Sequence, residues 1–152
     1  MATIKSYSDL QQSRKLAEIL PLESADMNYS NMCYKGVMYS NPYRAGLSSY
    51  NDASRMNQEN IDFYLKGVDY KGIIAWDVLP CWSLAALLGV LPQGEYEDTD
   101  LCFGGYEGDK YIPEWFCSYE QQEPFIFEIS HADNPVDACV AMIEKLHELK
   151  ML

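Results

Sequence analysis

Residues 112–130 carry the strictest pattern in this chain. In the first run Trp115, Cys117 and Tyr119 fall on one side of an extended backbone, and Glu114, Phe116, Ser118 and Glu120 on the other. After a polar break at 121–124, a second run sets Phe125, Phe127 and Ile129 against Ile126, Glu128 and Ser130. Two runs of period two around a short break predict an antiparallel hairpin. An apolar sheet face needs a cover. The next segment supplies one. Asn134 is a good helix cap, Pro135 suits the first helical position, and Asp137 falls where the helix dipole favours an acid. Val136, Cys139, Val140, Ile143 and Leu146 then form one apolar stripe, and Lys145 and Lys150 lie towards the C-terminal end.

Other elements can be read around this unit. Ser8 and Gln11 have capping-box spacing, and Leu10, Leu16, Ala17, Ile19 and Leu20 follow at helical spacing until Pro21 stops the helix. A second helix is expected from Pro80 or Cys81 to Pro92, apolar nearly all round and therefore buried. Residues 24–72 read as irregular. A hairpin is expected around Lys35 and Gly36, and a long loop near 40–60 with a helical turn at 53–57. Residues 61–65 and 72–78 each read as a strand. Gly104, Gly105 and Gly108 read as a turn, because they form neither a dinucleotide fingerprint nor a P-loop. The resulting expectation is one α+β domain over residues 1–152, with a mostly antiparallel sheet of four or five strands and about three helices on one face.

Charge locates the surface. The chain has 152 residues and a formal net charge of −12, so it needs no disulfide or metal to build a core. Residues 1–60 are neutral, with six acids and six bases. Residues 77–137 hold thirteen acids and a single base, Lys110. Such a surface argues against direct binding to nucleic acid or to an anionic membrane. It suits either solubility or a basic protein partner. The N-terminus has no apolar signal core, and the apolar segment 78–92 is too short to span a bilayer, so a cytoplasmic location is expected.

Chemistry-bearing motifs are sparse. Cys33, Cys81, Cys102, Cys117 and Cys139 are odd in number and lack close pairs, which points to reduced thiols packed as small hydrophobes. An EF-hand frame started at Asp98 fails, because Cys102, Phe103 and Asp109 stand where ligands and a glycine are required. His131 and His147 belong to no catalytic pattern, so no catalytic residue, metal or cofactor is assigned. The candidate partner-binding residues are Glu95, Glu97, Asp98, Asp100, Tyr106, Glu107, Glu114, Glu120 and Glu128. Glu114, Glu120 and Glu128 are placed together on the outer face of the hairpin. Trp76, Trp82 and Trp115 are expected in the core, and Tyr96 and Tyr106 at the surface.

Three segments carry a resemblance: SRKLAEILPLESADM at 13–27, PCWSLAALLGVLP at 80–92 and ADNPVDACVAMIEKLH at 132–147. They resemble small uncharacterised proteins carried by prophages and other mobile elements of gut bacteria. The resemblance implies an accessory protein of a mobile element and brings no site residues with it. The leading expectation is thus a non-catalytic protein acting through an acidic interaction surface, with nucleic-acid mimicry as one form. The alternative is a small-ligand binder with a Tyr- and Trp-lined pocket, and an enzyme ranks last.

Overall fold

The structure, a computed structural model, describes residues 5–34, 37–65 and 73–152. The fold is α+β, with two three-stranded antiparallel sheets in place of the single sheet expected. Its contacts divide the chain into two compact units, Asp9–Trp82 and Met1–Ser8 with Ser83–Leu152.

The unit Asp9–Trp82 starts with helix α1 (Leu10–Ile19). Its capping box is one residue later than expected: Asp9 accepts from the Gln12 amide, and the Gln12 side chain accepts from the Asp9 amide. The helix ends where Pro21 requires, with Leu20 extended. Strands β1 (Met27–Tyr34), β2 (Val37–Gly46) and β3 (Ile73–Cys81) pair in the order β2-β1-β3. Cys33 opposite Met38 and Tyr34 opposite Val37 give the arms of the expected hairpin. Its turn at Lys35 and Gly36 lies outside the described residues, as does the Trp76 side chain.

Three expectations for this unit are overturned. The loop near 40–60 is the second half of β2 followed by helix α2 (Tyr50–Leu65), which contains the helical turn expected at 53–57 and also absorbs the strand expected at 61–65. Ser49 starts that helix, its hydroxyl accepting from the Asp52 amide and its carbonyl from the Ala53 amide. Residues 80 and 81, expected to begin a helix, instead finish β3, where Cys81 pairs with Met27. Met27, Tyr29 and Cys81 form a buried cluster with Leu10 and Leu79 against it. Trp82 is fully buried and its indole donates to Ser24 Oγ at 2.9 Å, the core role expected of it.

In the other unit, Ser83 caps a short helix α3 (Leu84–Val90), of which only Leu87 is buried. This helix is shorter and wetter than the all-round apolar helix expected. Strands β4 (Glu97–Glu107), β5 (Lys110–Gln122) and β6 (Phe125–Ala132) form a meander in the order β4-β5-β6. Helix α4 (Pro135–Glu148) packs on β5 and β6, with α3 beside it. The cap is as read from sequence: Asn134 Oδ1 accepts from the Asp137 amide, and Lys5 pairs with Asp137 at 2.6 Å. Val136, Ile143 and Leu146 are wholly buried, each stabilising the unit by roughly 1.5–3 kcal/mol. Ser130 Oγ donates to the Ala138 carbonyl at 2.8 Å, fixing the helix over the sheet.

Candidate functional site

The register of the meander decides what each face displays. Cross-strand rows run Thr99–Tyr119–Glu128 and Leu101–Cys117–Ser130 on one face. Thr99, Cys117, Tyr119 and Ser130 are buried, so this is the face that α4 covers. The alternate rows run Asp98–Glu120–Phe127, Asp100–Ser118–Ile129 and Cys102–Phe116–His131, and they form the open face. The open face therefore grades across its three strands. Carboxylates stand on β4, a mixed row on β5, and apolar side chains on β6. Phe125, Phe127 and Ile129 are 70%, 52% and 44% exposed. A solvated face of an antiparallel sheet is normally polar, so this stripe is unusual for such a face.

A groove of about 740 Å³ lies along this face. Its floor includes Phe116, Phe127, Ile129 and Cys102, and Glu114 and His131 stand at one side. His131 Nδ1 lies 2.7 Å from Glu114 Oε2, and the His131 ring is 5.9 Å from that of Phe116. Tyr106 and Tyr111 meet edge to face at 5.4 Å at the hairpin end, with Glu107 and Lys110 beside them. Two glycines shape this end. Gly104 has φ +79° within a bulge of β4, and the Tyr111 ring occupies the space a side chain would need. The Phe116 ring lies over Gly105, 3.2 Å from where a Cβ would stand. The glycine run is thus a bulge inside a strand, and the turn expected there falls at Gly108 and Asp109.

The candidate residues divide accordingly. Asp98, Asp100 and Glu120 share the open face, Glu114 is at the groove, and Tyr106 and Glu107 are at its hairpin end. Asp98 and Asp100 belong to β4. Glu95 is exposed just before that strand. Tyr96 and Tyr106 are exposed, as expected. Glu128 is a correction. It shares a row with buried Tyr119 on the covered face, and its carboxylate pairs with Lys145 of α4 at 2.7 Å, so it cannot stand with Glu114 and Glu120. Glu97, opposite Gln121 in the register, also falls on that side and lines a separate hollow with Glu128 and Leu149. The sequence reading missed Phe116, Phe127, Ile129 and His131 as site residues. The signal for them was present: a short even-numbered turn pairs even positions of β5 with odd positions of β6.

Beneath the sheet, Cys117 and Cys139 are wholly buried and in contact. Their hydrogen bond and burial push the Cys117 thiol far up, whereas the same bond lowers Cys139. Cys81 is buried too, while Cys102 is exposed on the open face. Among the described residues, no three His, Cys, Asp or Glu side chains converge in a way that would hold a metal ion. No described helix is long and apolar enough to cross a membrane. Comparison with family models, curated proteins and solved structures returns no match.

Proposed function

We propose that this chain is a non-catalytic accessory protein that binds a basic protein partner through the open face of β4, β5 and β6. One observation carries the reading: Asp98, Asp100 and Glu120 share that face with the exposed apolar stripe Phe125, Phe127 and Ile129. Carboxylates alone would serve solubility. Carboxylates beside uncovered aromatic groups suit a protein interface, where apolar area supplies affinity and charge supplies steering. The apolar stripe has no counterpart in a phosphate backbone, so a protein surface fits this face better than mimicry of nucleic acid does. The mobile-element setting rests on the three resembling segments alone.

Capture from host lysate on the immobilised protein tests the reading. At low salt a basic partner should be retained and should elute as ionic strength rises, since the Debye length falls from about 10 Å at 0.1 M to about 3 Å at 1 M. Asp98→Asn combined with Asp100→Asn should weaken retention. Recovery of no basic protein, or retention indifferent to both salt and these variants, would remove the proposal. A second reading has one observation in its favour: the groove volume is within the range of small-ligand pockets, roughly 300–1,000 Å³. Thermal stabilisation by a small molecule that also shields Cys102 from alkylation would move the assignment to that reading.

A further inference from the structure

We infer that the open face of the β4-β5-β6 sheet seats a basic amphipathic helix, laid along the strands with its cationic flank over β4 and its apolar flank over β6. This rests on the reading that the face binds a basic partner, and narrows the partner to one shape. Three observations support the helix.

The first is spacing. Neighbouring strands are about 4.8 Å apart, so the carboxylates of β4 and the apolar stripe of β6 are separated by roughly 10 Å across β5. That is the width of a helix with its side chains, about 10–12 Å. Asp98 and Asp100 are two residues apart on a strand, a rise of about 6.8 Å. Cations at i and i+4 on a helix rise about 6.0 Å, close enough for both to be met from one helix flank.

The second is the state of the edges. A partner strand would have to add to β4 or β6. On β4 the Thr99 carbonyl already accepts from Gln93 Nε2 at 2.8 Å. On β6 the Ile129 carbonyl accepts from Lys145 Nζ at 3.3 Å. Each edge strand thus has a main-chain acceptor engaged by a side chain, which interrupts the ladder that strand addition needs. The open face, by contrast, keeps Phe125, Phe127 and Ile129 exposed among the described residues.

The third is charge. A second copy of this chain would bring a second net charge of −12 to the face, whereas a cationic flank complements its carboxylates. The covered face shows the same solution internally: amphipathic α4 lies over the sheet and Lys145 meets Glu128 at 2.7 Å.

Synthetic peptides of about 18 residues, roughly five helical turns, test this. One places Leu on a single face with Arg at i and i+4 along its flank. A second has the same composition scrambled to remove the apolar face. A third is basic and wholly polar. Binding is read by fluorescence anisotropy at low salt, helix formation by circular dichroism, and location by alkylation of Cys102. The amphipathic peptide should bind at least about tenfold more tightly than either control, gain helicity and slow Cys102 alkylation. Phe127→Ser and, separately, Asp100→Asn should each weaken it about tenfold; both side chains are exposed, so the variants should melt like the parent. Equal binding by the scrambled or polar peptide would overturn the helix while leaving the basic-partner reading intact. So would tight binding that neither variant weakens and that leaves Cys102 reactive. Binding by none of the three at low salt would overturn both. A stable dimer of the free protein that shields Cys102 would assign the face to a second copy and overturn the helix.

Discussion

At the residue scale, the hairpin end of the groove depends on backbone conformations that few side chains tolerate. Gly104 and Gly108 both have positive φ, +79° and +62°. Adding a Cβ at either position forces a left-handed conformation that costs about 1–2 kcal/mol. The two differ in their surroundings. Nothing approaches the missing Cβ of Gly108, whereas the Tyr111 ring fills the space beside Gly104. Gly104→Ala must therefore also push Tyr111 from its contact with Tyr106, worth roughly 0.5–1.5 kcal/mol. Urea unfolding should show Gly104→Ala less stable than Gly108→Ala by about that difference. Equal losses would mean that Tyr111 swings aside freely and does not help to form the groove. The glycines were visible in the sequence as a cluster. Their roles were not, because a bulge depends on the cross-strand partner of each residue, and Tyr111 lies on a strand that composition alone cannot register.

At the element scale, local signals and long-range ones separate cleanly. The start of α4 was legible because the cap lies within four residues of sequence: Asn134 accepts from the Asp137 amide, with Pro135 between them. Asn134→Ala should cost about 1 kcal/mol and Asn134→Ser much less, since serine keeps an acceptor for the Asp137 amide. A calorimetric melt compares the two, and equal losses would place the effect elsewhere than in the cap. Of helix α2 only the turn at 53–57 was legible, for the opposite reason. Ala53, Ile61 and Leu65 lie at multiples of four, but Asn57 interrupts the stripe and the flanking Ser and Asn residues read as loop. The end of β3 was misread because Pro80 suits a helix start, whereas its pairing with Asn28 is set by a strand some fifty residues away. The hairpin of β5 and β6 was legible as an element, yet its outward face was not. Phe125, Phe127 and Ile129 alternate as a core face does, and it takes the register that the turn sets against β5 to show that they oppose Gln122, Glu120 and Ser118 on the uncovered side.

At the scale of the whole molecule, net charge and the open apolar stripe act against each other. The stripe offers area for self-association, and a charge of −12 opposes it. Repulsion acts on copies meeting through the open face, because Asp98, Asp100 and Glu120 stand on the same face as the stripe and would be brought close to those of the second copy. At neutral pH and low salt the chain should sediment as a monomer. Raising salt towards 1 M shortens the screening length to about 3 Å, less than the spacing of the carboxylates from the stripe, while apolar contact persists. Weak, concentration-dependent association should then appear. Phe127→Ser should abolish it by breaking the stripe. Asp98→Asn with Asp100→Asn should shift its onset to lower salt by removing the repulsion. Association with the opposite salt dependence would mean that ion pairs between copies hold the surface, and the acidic stretch would then be a self-interface instead of a barrier to one. The acids of residues 77–137 thus act through position more than through number. Those on β4 and β5 stand on the open face beside the apolar stripe, as the proposed binding of a cationic partner requires, while Glu128, on the other side of the same sheet, is engaged in holding α4.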